Sequence, residues 1–216
     1  MNDIKIKSAS CPGQHKVNED FMKYATLSSD KTIVVLADGM GGLSHGDLSA
    51  TTVVQTVFDV LEKGIDQYNI EDLLRRALIE ADTQIETLCK ELKCKMGAAV
   101  TAVIIVGDTV YYIWQGNVRL YLAAEEDRFE LLTKDHVFGS GKYDNTFLTR
   151  CVNGKGFREL PPIGTAVLNK QVTLYLCTDG FYQSVAESEI NGFDLDVIHK
   201  LSGINDDYSL IEIKLG

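Results

Sequence analysis

No stretch of this 216-residue chain is long and apolar enough to span a membrane. A spanning helix needs about 18 apolar residues in a row. The longest strongly apolar stretch, Ala98 to Val106, is strand-sized and interrupted by Thr101. The N-terminus, MNDIKIKSAS, has neither an apolar segment nor a cleavage site of the secretory kind. Proline is scarce, at 3 residues, and no Pro/Ser-rich linker divides the sequence. At about 150 residues per domain, one domain over residues 1–216 is the default. Positive charge is also short: Lys+Arg 21 against Asp+Glu 31 gives a net charge of −10. That balance argues against a nucleic-acid backbone or an anionic membrane as the main partner. The cysteines, Cys11, Cys89, Cys94, Cys151 and Cys177, are odd in number and scattered. Cys89 and Cys94 are badly spaced for zinc. They read as buried or idle thiols in a reducing, cytoplasmic compartment.

Apolar periodicity orders what is present. Ile4 and Ile6 alternate with Lys5 and Lys7, the pattern of a half-buried strand. Thr32 to Ala37 is apolar throughout, as in a strand covered on both faces. It runs into Asp38-Gly39-Met40-Gly41-Gly42. Ala50, Val53, Val54, Val57, Phe58 and Leu61 recur at helical spacing, and Gly64 is a plausible C-terminal stop. A longer stripe runs from Ile70 to Leu88, with Asn69 placed to cap it. Strands are predicted at Ala98–Val106, Thr109–Trp114, Val118–Ala123 and Arg128–Leu132, joined by short turns that include Glu125–Asp127. Gly139–Asn145 reads as loop and Pro161-Pro162 as an irregular stretch. Val172–Cys177 is a second doubly buried strand that ends in Asp179-Gly180. A short helix over Leu195–Leu201 and a strand over Tyr208–Leu215 close the chain. Two amphipathic helices cannot cover both faces of one large sheet. The predicted fold class is therefore α+β: two stacked antiparallel sheets with helices outside, an α-β-β-α sandwich.

Acidic clusters recur at the strand ends: Asn18-Glu19-Asp20, Asp38-Gly39, Asp179-Gly180 and Asp206-Asp207. Asp-Gly alone is a common turn dipeptide. As a set the clusters mean more, because carboxylates at the mouth of a sheet core are half desolvated and repel one another. No Lys or Arg lies inside the clusters, and they offer only oxygen ligands. A hard divalent ion, Mg²⁺ or Mn²⁺, would neutralise them.

With these residues the chain resembles the metal-dependent protein phosphatases of the protein phosphatase 2C type, in their bacterial form. Gly13 with Asn18-Glu19-Asp20 looks like the family's first motif. Ala37-Asp38-Gly39-Met40-Gly41-Gly42 with Gly46 looks like its second and most specific one. Gly97-Ala98-Ala99-Val100, Gly116-Asn117-Val118-Arg119, Leu132-Thr133-Lys134-Asp135-His136, Thr149-Arg150, Cys177-Thr178-Asp179-Gly180 and Asp206-Asp207-Tyr208-Ser209 follow in the family's order. The resemblance implies hydrolysis of phosphoserine and phosphothreonine in proteins by a water activated at a centre of two Mn²⁺ or Mg²⁺ ions. Asp38 would bridge both ions, and the Gly39 carbonyl would bind one. Asp179 and Asp206 would hold the other, with Glu19 and Asp20 acting directly or through water. The implied partner is a phosphorylated protein, the product of a serine/threonine kinase. The protein is expected to be a cytoplasmic monomer without nucleic-acid or membrane partners, and without an anchor or sensor domain in this chain.

The departures are specific. His15, followed by Lys16, stands where the family has a phosphate-gripping Arg. We expect these two to take over part of that role. Asn117 replaces an aspartate associated with a third, weaker ion, so that ion should bind poorly. Ala98 and Ala99 replace two threonines. Leu43 replaces a histidine, with His45 nearby as a possible proton donor or an exposed residue. The flap region, 137–148, is short, so an open cleft is expected. Two alternatives stand beside an active phosphatase: a weak or inactive phospho-binding regulatory module, and another metal-assisted hydrolase on the same scaffold.

Overall fold

Residues 31–39 explain why the molecule is layered. Successive side chains of β3 (Lys31–Gly39) point to opposite faces. Ile33, Val35 and Ala37 pack with two helices, while Val34 and Leu36 pack with a second sheet. The structure, a computed structural model, describes residues 4–14, 16–40, 45–124, 128–139, 147–168 and 172–216.

The first sheet has the order β10 (Ile163–Val167), β5 (Thr109–Gln115), β4 (Ala98–Val106), β3, β2 (Asp20–Ser28). The second has the order β1 (Ile4–Cys11), β12 (Tyr208–Leu215), β11 (Val172–Cys177), β6 (Arg119–Ala124), β7 (Arg128–Leu131). Every pairing is antiparallel. Between the sheets lies an apolar layer that includes Leu120, Leu174, Leu176, Ile211 and Ile213.

The helices α1 (Gly46–Gly64) and α2 (Ile70–Leu92) cover the outer face of the first sheet. Asn69 caps α2 as its position predicts: its side chain accepts from the backbone N–H groups of Glu71 and Asp72. Gly64 ends α1, but not through a left-handed turn. The following Ile65 is right-handed, and a Cβ on Gly64 would lie 2.3 Å from Leu73 Cδ1. Its role is to let α2 approach α1. The outer face of the second sheet has a thinner cover, made of α3 (Asp179–Tyr182), α4 (Glu187–Ile190) and a 3-10 segment at Leu195–Lys200. Phe181, Ile190 and Leu195 pack there on Tyr121 and Tyr175. The four-layer α-β-β-α order is the predicted one.

Some elements lack a clear apolar signature. β2 and β10 are edge strands, each with one neighbour, and neither shows a clean alternation. A two-stranded ribbon pairs β8 (Val137–Phe138) with β9 (Phe147–Leu148). The expected turn at Glu125–Asp127, and all but Gly139 of the loop expected over Gly139–Asn145, lie outside the described residues. So does the centre of the flap region, 137–148, which is expected to be short. Among the described residues no disulfide forms. Cys177 is buried and the other four thiols are half-buried. No helix of the described residues is long and apolar enough to cross a membrane.

Candidate functional site

Strand register brings the first two carboxylates together: Asp20 on β2 is the direct partner of Asp38 on β3. Asp179 arrives from the other sheet, in the first turn after β11. The chain around Asp206 closes the group. A Cβ on Gly180 would lie 2.1 Å from the Asp207 carbonyl oxygen and 3.3 Å from Asp206 Cβ, so only glycine allows the two segments to touch. The ends of both sheets thus deliver Asp20, Asp38, Asp179 and Asp206 to one place.

Hydroxyl groups hold Asp20. Thr178 Oγ1 and Ser209 Oγ donate to its Oδ2 at 2.8 Å and 2.7 Å. Ser209 Oγ also lies 2.8 Å from Ser10 Oγ, which accepts from Asn18 Nδ2 at 2.7 Å. Each hydroxyl has one proton. With Ser209 donating to Asp20, Ser10 donates to Ser209, and the chain Asn18–Ser10–Ser209–Asp20 runs in one direction. The neighbouring Asp207 does different work. It is 3% exposed, and its two oxygens accept the backbone N–H groups of Gly13 at 3.1 Å and Glu19 at 2.7 Å. It ties the loop before β2 to the loop before β12.

The electrostatics follow from burial. Desolvation pushes the Asp20 carboxyl up to about 7, against the pull of the Ser209 and Thr178 hydroxyls and with further push from Asp207 and Asp179. Asp38 is held well above the usual carboxylate range, first by desolvation and then by Asp20, Asp179 and Asp206. Asp179 is raised by desolvation and then by Asp206, against the pull of hydrogen bonds with Asp38, Gly180 and Asn117. No cationic side chain is among these main influences. The buried oxygens Asp20 Oδ1 and Asp179 Oδ1 have no hydrogen-bond partner. Orphaned, mutually repelling, oxygen-only acceptors are the donor set that hard divalent ions suit. Among the described residues, no three His, Cys, Asp or Glu side chains are already set around one point as a ligand cage.

The remaining expected residues fall around this core. The Glu19 carboxylate lies over Gly46 at the start of α1, where a Cβ would come within 2.4 Å of Glu19 Cδ. Gly39 is buried, and its N–H donates to the Glu19 carbonyl at 2.9 Å. Lys16 is exposed in the loop before β2. His15, Gly41, Gly42 and Leu43 lie outside the described residues. His45 is exposed just before α1. Asn117 is 7% exposed, and its Nδ2 donates to Asp179 Oδ2 at 3.0 Å. An ionised aspartate could not make that bond. The Tyr182 hydroxyl donates to the Asn117 carbonyl at 3.2 Å, and the tyrosine ring lies 3.7 Å under the Arg119 guanidinium. Arg119 in turn grips both oxygens of Asp135. Thr178, Ser209, Ser10 and this Asn117 linkage were not singled out from the sequence as site residues. The one available signal was a buried hydroxyl or amide beside a predicted carboxylate.

Comparison with known proteins places these features in a wider group. A family model described as "Protein phosphatase 2C" matches residues 9–208. The chain is 26% identical over 190 residues to the serine/threonine phosphatase stp of Listeria welshimeri, covering 80% of this chain and 75% of that one. It is 24% identical over 205 residues to the protein phosphatase PhpP of Streptococcus pneumoniae, covering 87% and 82%. Its fold superposes with a TM-score of 0.81 on the catalytic domain of the serine/threonine phosphatase PstP in complex with two manganese ions. That match has 18% identity and covers 100% of this chain and 99% of that one.

Proposed function

The chain belongs to the protein phosphatase 2C family, and on that premise we propose that it hydrolyses phosphoserine and phosphothreonine in proteins at a centre of two Mn²⁺ or Mg²⁺ ions. One observation carries the reading: Asp20, Asp38 and Asp179 meet from both sheets beside Asp206, two of their buried oxygens are unpartnered, and among the described residues no cation is a main influence on those three. When bound, two divalent ions supply a nucleophile from water at neutral pH and neutralise charge on the phosphoryl oxygens.

The chain's own residues set the geometry. Asp38, the Gly39 carbonyl, Asp179 and Asp206 would hold the ions, with Glu19 and Asp20 acting directly or through water. Thr178 and Ser209 fix which oxygen of Asp20 stays free, because both donate to Oδ2 and leave the buried Oδ1 without a partner. Asn117 does the same for Asp179 by occupying its Oδ2. It adds no charge, so a third ion is not expected. His15 and Lys16 grip the substrate phosphate more weakly than a forked guanidinium would. The enzyme acts as a cytoplasmic monomer on the products of a serine/threonine kinase.

The test is hydrolysis of p-nitrophenyl phosphate and of a phosphothreonine peptide with Mn²⁺. Turnover abolished by EDTA and by Asp38→Ala supports the reading. Mn²⁺ binding without turnover overturns it in favour of a regulatory phospho-binding module.

A further inference from the structure

A cavity of about 430 Å³ opens beside the C-terminal end of α2. Met40 and Met96 contribute an apolar floor, and Lys90, Lys95 and Lys155 stand exposed around it. Its size lies in the range of real ligand sites. We propose that this cavity receives acidic residues flanking the phosphorylated side chain of the substrate. The proposal rests on the phosphatase reading and narrows its substrate class.

Charge is the first argument. The chain carries −10 overall, yet three lysines gather here against one acidic lining residue, Glu86, which pairs with Lys90 at 2.5 Å. A local positive field on an acidic protein selects anionic partners.

The cavity wall is also fixed before any ligand arrives. Asp82 of α2 is buried. Its carboxylate accepts the backbone N–H groups of Asn153 at 3.1 Å, Gly154 at 2.8 Å and Gly156 at 2.7 Å. These bonds pin the loop that carries Lys155, and Val152 bridges to Ala98 on β4 at its base. A preformed wall lowers the ordering cost of binding.

Position supplies the third argument. Met40 directly follows Gly39 and stands two residues from Asp38. Its N–H donates to the Gly97 carbonyl at 2.9 Å. The cavity therefore continues the strand end that carries the central carboxylate. A peptide chain leaving that centre on this side runs over Met40 towards the lysines, covering about 3.3 Å per extended residue. Lysines on long stems, with no arginine fork among them, suit carboxylates spread along a flexible chain better than one tightly held anion.

The experiment uses the Mn²⁺-loaded full chain and phosphothreonine peptides with three glutamates, or three glutamines, before or after the phosphothreonine. The expected result is a KM about tenfold lower for one glutamate peptide than for its glutamine counterpart, from a few exposed ion pairs. This preference should fall in high salt. It should vanish in Lys90→Glu/Lys95→Glu/Lys155→Glu and in the milder triple Lys→Gln variant, with p-nitrophenyl phosphate turnover unchanged. Equal KM values in the wild type, or a preference that survives both variants, overturn the proposal and leave the phosphatase reading standing. Fluorescence anisotropy with the labelled, unphosphorylated glutamate peptide needs no turnover. Binding by the wild type and not by the variants supports the cavity assignment even if the hydrolytic reading fails.

Discussion

Asp20 and Asp38 stand directly opposite one another across the β2–β3 ladder. Like charges in that relationship are destabilising, and here both are desolvated. The proposed divalent ions would offset this repulsion. Several measurable consequences follow from the stored repulsion.

Metal-free protein should lose stability as pH rises. The folded state raises Asp20 from 3.8 to about 7 and raises Asp38 and Asp179 as well. Between about pH 4 and 7 the folded chain then binds more protons than the unfolded one, so stability is highest at the acid end and declines through that window. Thermal melts in EDTA from pH 5 to 7.5 should show a falling Tm. Mn²⁺ should reverse the trend, and Asp20→Asn should flatten it. A Tm in EDTA that climbs across this range contradicts the assignment.

Asp38→Asn separates activity from stability. The substitution removes the charge at the middle of the cluster. Mn²⁺-dependent turnover should fall by about a hundredfold or more, the scale on which loss of one preorganised electrostatic group acts. The EDTA-treated variant should be more stable than the wild type by about 1–2 kcal/mol, or a Tm gain of a few degrees at this chain length. Urea melts and steady-state kinetics on one preparation check both signs.

Asp207 should prove structural. Asp207→Ala leaves the Gly13 and Glu19 N–H groups without their acceptor. The expected cost is about 2–4 kcal/mol by urea denaturation. Asp207→Asn keeps one acceptor oxygen and turns an NH₂ towards the other N–H, so it should recover only part of the loss.

His15→Arg should tighten substrate binding. A guanidinium offers two parallel donors to phosphate where imidazole offers one. KM for a phosphothreonine peptide should drop by about tenfold with little change in kcat. An unchanged KM would remove His15 from the phosphate site.

Much of the layer order was readable because its signals are local. β3 and β11 are unbroken apolar runs because both faces are buried, and α1 and α2 show their stripes at helical spacing. β2 and β10 were not legible, since an edge strand exposed on one side needs no regular apolar pattern. The same division holds in the site. Asp38 and Asp179 were marked by strand ends followed by glycine. The support from Thr178 and Ser209 depends on contacts 158 and 189 residues away in the chain, which no local pattern encodes. Asn117 reads from the sequence as a lost third-ion ligand, and its donation to Asp179 Oδ2 is a separate role that no local pattern shows.

The run of side chains from Asn18 through Ser10 and Ser209 ends on Asp20 without a single fixed charge along it. Hydroxyl protons swivel at little cost. When the carboxyl group gains a proton, Ser209 can turn from giver to receiver while no backbone atom moves. A change of protonation at residue 20 can therefore be met by the turning of hydroxyl groups alone.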